Sequence, residues 1–149
     1  MLVYRICLEK WSKELTALGA GGRWNSKGRF VIYTAATRAL ACLENIVHRS
    51  GEGLNNNFKV LTIEIPPSVK ISEIRVNSLS KDWYEFAKYS YCRNIGDEWI
   101  TKNETAILKV PSAIIPAESN YLINPSHKDF KKIKILRCED FNFDPRIKS

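Results

Sequence analysis

The stretch Phe58 to Ile65, "FKVLTIEI", alternates apolar and polar residues and stops at Pro66-Pro67. Side chains along a strand point to opposite faces in turn, so a period of two marks a strand on a core. The proline pair ends it, because proline has no N–H for a ladder. Leu2 to Leu8 repeats the pattern, with Leu2, Tyr4, Ile6 and Leu8 on one face, and so does Ile133 to Phe143. Shorter strand signals follow at Phe30 to Thr34, Val69 to Val76, Ala106 to Val110 before Pro111, Ala113 to Ile115 before Pro116, and Tyr121 to Ile123 before Asn124-Pro125.

Helical spacing is confined to two places. Leu40, Leu43 and Val47 fall at i, i+3 and i+7, with Ala36 on the same face, which predicts a helix over Ala36 to Arg49 ending at Ser50-Gly51. "SGEGLNNN" then reads as a polar turn. Asp82 to Ile100 is rich in aromatics and predicts helix in pieces, broken near Gly96. No regular strand–helix–strand rhythm is present. The expectation is an α+β fold in a single domain over residues 1–149, with a mixed, mostly antiparallel sheet and flanking helices.

The 149 residues suffice for one core, and 44% hydrophobic with 26% charged residues is ordinary for a globular chain. No apolar run approaches the ~18 residues of a membrane span, and "MLVYRICLEKW" lacks the features of a secretory signal. Both point to a cytoplasmic protein away from membranes. Cys7, Cys42, Cys92 and Cys138 lack zinc-clip spacing, and only two histidines accompany them, so no metal site is expected. Cys7, Cys42 and Cys138 sit in apolar segments and read as buried small hydrophobes. The net charge of +7 suits an anionic ligand, a nucleic acid or an acidic partner without choosing among them.

"GAGGRWNSKGRFVIYTA", from Gly19 to Ala35, has the glycine density of a phosphate loop. It fails as a dinucleotide fingerprint, because Trp24 stands where the last glycine belongs and a strand follows instead of a helix. It fails as a P-loop, because "NSKG" reverses the required order. Ser26 to Gly28 reads as a tight turn into the next strand. That leaves Arg23 unexplained, beyond a surface salt bridge. Glu44 lies at the border of the apolar stripe of its helix. A carboxylate there pairs with a cation, lines a cleft or reaches to water.

Four segments together, "GGRWNSKGRFVIYTAATRALACLENIVH", "IGDEWI", "AILKVPSAIIPAESNYLINPSHKDF" and "FNFDPRI", resemble the RES domain. That family is named for an arginine, a glutamate and a serine and supplies toxins of RES–Xre toxin–antitoxin systems. The resemblance runs in order over nearly the whole chain. It implies a fold related to diphtheria-type ADP-ribosyltransferases, with NAD+ as substrate and no separate cofactor. The family's arginine matches Arg23, its tyrosine Tyr33, its glutamate Glu44, its serine Ser112, and the asparagine of its "NP" step Asn124. Members cleave NAD+ by phosphorolysis or hydrolysis, with phosphate or water as co-substrate, or transfer ADP-ribose to a protein. The motif residues do not separate these outcomes. The implied partner is an Xre-type antitoxin that blocks the pocket in a hetero-oligomer, with DNA contacted only through the antitoxin.

These residue types suit that chemistry. Breaking the nicotinamide–ribose bond builds positive charge on the ribose. A guanidinium such as Arg23 can fork onto phosphate oxygens. Tyr33 offers a ring for the nicotinamide or a hydroxyl for the ribose, and competes with an ordinary core aromatic. Glu44 offers an anion for the ribosyl cation. Ser112 and Asn124, polar and beside prolines, either bind the ligand or cap turns. Trp24, Asn25 and Thr34 flank the pocket without an assigned role. His48 lies four residues after Glu44, within pairing reach across one helical turn. A basic RNA-targeting toxin is the remaining alternative, motivated by the +7 charge and "DWYEFAKYSY", but no RNA-binding motif or histidine pair accompanies them.

Overall fold

A computed structural model describes residues 1–48 and 57–147. Within them lie seven strands, β1 (Leu2–Leu8), β2 (Ile32–Ala35), β3 (Phe58–Glu64), β4 (Ile71–Glu73), β5 (Ile107–Pro111), β6 (Ser119–Ile123) and β7 (Lys134–Phe141), and two α-helices, α1 (Arg38–His48) and α2 (Tyr89–Lys102). The strands form one sheet in the order β4-β5-β6-β2-β1-β3-β7. Every neighbouring pair is antiparallel except β4 and β5. The α+β expectation with a mostly antiparallel sheet holds. The turn expected at "SGEGLNNN" and the C-terminal end of the first helix fall largely outside the described residues.

Alternation along the strands sorts the core. Val3, Leu61, Ile63, Ile107 and Ile123 face one side, under Leu15, Ala17 and Phe130. Ile6, Ala35 and Val60 face the other side and meet Leu40 and Ala41 of α1. Leu108, Val110 and Leu122 share that side and meet Trp24, Trp83, Cys92 and Trp99, the last two from α2. Leu40 is 1% exposed. Burying a side chain of that size contributes about 1.5–3 kcal/mol, which is what holds α1 on the sheet.

Three expectations change. First, α2 runs unbroken through Gly96. The glycine is there for contact: a Cβ at Gly96 would lie 1.7 Å from the Trp24 carbonyl oxygen. Second, Ala113 to Ile115 is not a strand but part of the turn joining β5 to β6, closed by Ser112 N–H to Glu118 O at 2.9 Å. Side-chain hydrogen bonding there competes with a ladder, since Ser112 Oγ accepts from the N–H groups of Ile114 and Ile115. Third, of the cysteines read as buried, Cys7 is buried, Cys42 half-buried and Cys138 exposed on the edge strand β7; none of the four cysteines is in a disulfide.

The sheet opens at one seam. β1 and β3 are in register over seven residue pairs, whereas β1 and β2 share the single pair Tyr4–Ala35. The two strands diverge from that point, and α1 and the glycine loop border the gap.

Candidate active site

The gap is a cleft of about 410 Å³. That volume is within the range of small-molecule sites. Tyr4, Arg5 and Ile6 come from β1, Tyr33, Thr34 and Ala35 from β2, and Ala41, Glu44, Asn45 and His48 from α1. The chain from Ala17 to Trp24 lines a further wall, with Asn120 and Ala113 beside it.

Glu44 is the best-connected side chain in this wall. Its Oε1 accepts from Ser112 Oγ at 2.8 Å and from Asn120 Nδ2 at 2.6 Å. Its Oε2 lies 3.1 Å from His48 Nε2. The Glu44 side chain is 20% exposed. Burial raises its pKa, but the hydrogen bonds from His48, Asn120 and Ser112 outweigh burial and hold it below the usual carboxylate value. Glu44 is therefore an ionised carboxylate on a cleft wall at neutral pH. Its border place on α1 explains this, since Leu40 and Ala41 face the core and Glu44 faces the rim.

Arg23 also lines the cleft, with its guanidinium turned onto the segment after residue 82. Nη1 donates to Trp83 O at 3.0 Å and Glu85 O at 3.3 Å, and Nη2 donates to Tyr84 O at 2.8 Å. It also sits 4.4 Å from the Tyr89 ring centroid. Arg23 thus clamps three successive carbonyls. Sequence reasoning saw a free phosphate ligand at this position and not the clamp.

Tyr33 stands on β2 between loop and cleft. Its hydroxyl donates to Asn25 Oδ1 and accepts the Trp24 N–H at 3.1 Å. Burial pushes its phenol well above its ordinary pKa, so the donor is kept. Asn25, 1% exposed, also donates from Nδ2 to Ala20 O at 2.9 Å and Arg29 O at 2.8 Å. Gly22 makes this closure possible: a Cβ there would fall 2.5 Å from the Tyr33 hydroxyl. The glycine run folds its loop against Tyr33.

The structure brings Arg23, Tyr33 and Glu44 to one cleft and places Ser112 behind Glu44. Ser112 is fully buried, is not part of the cleft lining, and donates to the carboxylate. Asn124 is not in the cleft lining. Its Nδ2 donates to Asn103 Oδ1 at 2.9 Å and its Oδ1 accepts from Ser126 N–H at 3.0 Å, so of its two sequence readings the turn is the one made here. His127, 6% exposed, accepts from Asp129 N–H through Nδ1 and is likewise local.

Two polar side chains at the cleft escaped the sequence reading. Asn120, on β6, is the second donor to Glu44, and its place directly before the apolar run Tyr121 to Ile123 was its only signal. Arg5, on β1, donates to Thr16 O at 2.8 Å, and burial lowers its pKa. A charged residue between Tyr4 and Ile6 was the clue. Among the described residues, no cluster of His, Cys, Asp and Glu could hold a metal ion, and no helix is long and apolar enough to cross a membrane.

One carboxylate, Glu44, and two arginines, Arg5 and Arg23, thus line one cleft of a mostly antiparallel sheet. The family comparison specifies the class: the RES domain model matches residues 2–144, and the chain belongs to that family. Among its relatives is the Prs ADP-ribosylating toxin of Sphingobium sp. (strain YBL2), 40% identical over 139 residues, covering 90% of this chain and 86% of the relative. Toxin Res of Photorhabdus laumondii subsp. laumondii is 36% identical over 152 residues, covering 99% of this chain and 97% of the relative. A chain of the crystal structure of the M. tuberculosis MbcT–MbcA toxin–antitoxin complex superposes with a TM-score of 0.77 at 17% identity, covering 95% of this chain and 84% of that one. That likeness establishes the shared fold.

Proposed function

We propose that this protein is the toxin of a toxin–antitoxin pair and that it cleaves the nicotinamide–ribose bond of NAD+, depleting the NAD+ pool and arresting growth. The observation that carries the reading is Glu44: an ionised carboxylate on the cleft wall, with Oε1 held by two donors and Oε2 beside His48. Its relatives' names as toxins support the biological setting.

The chemistry follows from charge. As the C1′–N bond breaks, its electron pair leaves with neutral nicotinamide and positive charge grows on the ribose. A preorganised anion stabilises that charge more in the transition state than in the ground state, which is what accelerates the step. Fixed hydrogen bonds to Glu44 mean the site needs little reorganisation when the charge appears. Arg5 and Arg23 line the cleft with their N–H groups bonded to backbone carbonyls, and the positive charge they bring there suits the pyrophosphate of the same substrate. Phosphate or water then forms the new bond at C1′, giving an ADP-ribose phosphate or ADP-ribose and a proton.

A second reading keeps the same site and changes the acceptor. The Sphingobium relative is named for ADP-ribosylation, which favours transfer of ADP-ribose from NAD+ to a protein side chain. Purified protein incubated with NAD+, with and without phosphate, tests both. Phosphorolysis gives nicotinamide release that rises with phosphate, hydrolysis gives release without it, and protein modification leaves label on an added lysate. Intact NAD+ in all three, with folded protein, overturns the reading. The partner on this reading is an Xre-type antitoxin that covers the cleft, and a +7 chain suits an acidic covering segment.

A further inference from the structure

Asn120 lies in the middle of the sheet, on β6, opposite Ala35 of β2 and Val110 of β5, and is 8% exposed. An apolar side chain is what such a position ordinarily takes. The amide is only half satisfied. Nδ2 donates to Glu44, while Oδ1 is buried without a hydrogen-bond partner. Turning the amide over would not help, because it would set Oδ1 against a carboxylate oxygen. The fold therefore tolerates an unpartnered acceptor in order to keep a donor on Glu44.

That donor has a specific consequence. Ser112 and Asn120 both point at Oε1, whereas Oε2 has His48 alone, on the same helix. Oε1 is filled and Oε2 keeps an open lone pair. We propose that Asn120 is a positioning residue for Glu44: it ties down Oε1 and so presents Oε2, the oxygen beside His48, to the ribose of the substrate. This rests on the NAD+-cleaving reading above. His48 on α1 is in contact with Glu44, and the other charged or titratable groups lining the cleft are Tyr4 and Arg5 on β1, Arg23 in the glycine loop and Tyr33 on β2; Asn120 and Ser112 bond Glu44 without charge.

Asn120→Asp tests the proposal with the shape preserved. It replaces the donor by an acceptor, and two facing carboxyl groups then compete for one proton. The expected result is a kcat lower by about 10- to 100-fold, the range of one charge-assisted hydrogen bond. KM should stay within about threefold. The acidic limb of the pH–rate profile should move to higher pH. Asn120→Ala should lose kcat similarly. If Asn120→Asp keeps both kcat and the acidic limb of the wild type, Asn120 is mere packing and the proposal fails, whatever Asn120→Ala does. A ¹³C titration of the Glu44 carboxyl, assigned against Glu44→Gln, needs no turnover. Asn120→Asp should raise that titration, and an unchanged one overturns the proposal. An inactive wild type overturns instead the reading of NAD+ cleavage, and the titration then still decides whether Asn120 holds Glu44.

Discussion

Ser112 Oγ donates to Glu44 Oε1 at 2.8 Å although 68 residues separate the two along the chain. The hydroxyl at the end of β5 thus reaches the helix that follows β2, across the sheet. Ser112 is bound to the carboxylate and, through the N–H groups of Ile114 and Ile115, to the turn that follows it. Ser112→Ala should leave Glu44 with one donor fewer on Oε1 and leave those two N–H groups without this acceptor. The expected loss is about 1–3 kcal/mol of stability, read as a lower midpoint in urea unfolding, together with slower turnover. An unchanged midpoint would show that the two hydrogen bonds to the turn are replaced at no cost.

Arg23 makes a separate prediction. Its guanidinium spans the carbonyls of Trp83, Tyr84 and Glu85, a geometry that a lysine ammonium on a single stem does not match. Arg23→Lys should therefore destabilise the fold by about 1.5–3 kcal/mol, beyond any effect on substrate. Amide hydrogen exchange should quicken around residues 83–85. Exchange that stays at the wild-type rate would mean the clamp does not hold that segment.

Gly96→Ala should be among the worst single-methyl changes in the chain. Its Cβ would need the space of the Trp24 carbonyl, 1.7 Å away, so α2 must withdraw from the loop that carries Arg23 and Trp24. Overpacking typically costs about 1–3 kcal/mol, and a contact with backbone this short belongs at the upper end. Thermal denaturation checks the stability loss, and tryptophan fluorescence checks displacement of Trp24 from Trp83, whose ring centroids are 6.0 Å apart.

Acid should weaken the fold through Glu44 with a fixed sign. Its folded pKa lies below its ordinary value of 4.5, so its contribution is present above that value and lost as pH falls through the folded one. Glu44→Gln cannot titrate. As pH falls below 4.5 and through the folded value, the wild type should lose more stability than Glu44→Gln, and parallel losses would show that the carboxylate is not held as described.

Local pattern carried much of this architecture. "FKVLTIEI" and "LVYRICL" became β3 and β1, because alternation is a property of the strand itself. Glu44 stood out because its place on the helical wheel is local too. What escaped depended on neighbours distant in sequence. Nothing beside Gly96 reveals Trp24, 72 positions earlier, as the reason for a glycine inside an intact helix. Asn120 fell just before the strand expected at Tyr121 to Ile123, and only the sheet brings it to Glu44, 76 positions away. The parallel contact of β4 on β5 likewise depends on how the chain between them crosses the sheet. The glycines before Arg23 suggested a backbone opening for phosphate, while in the fold Gly22 makes room for the Tyr33 hydroxyl.

The most direct measurement is nicotinamide release from NAD+ by purified wild-type protein and by Glu44→Gln, each free of antitoxin. The wild type should release nicotinamide. Glu44→Gln, folded to the same far-UV spectrum, should be slower by about 10²–10³-fold, the loss expected for one preorganised electrostatic partner. A folded wild type that leaves NAD+ intact, or a Glu44→Gln protein as fast as wild type, would contradict the assignment of this cleft and this carboxylate.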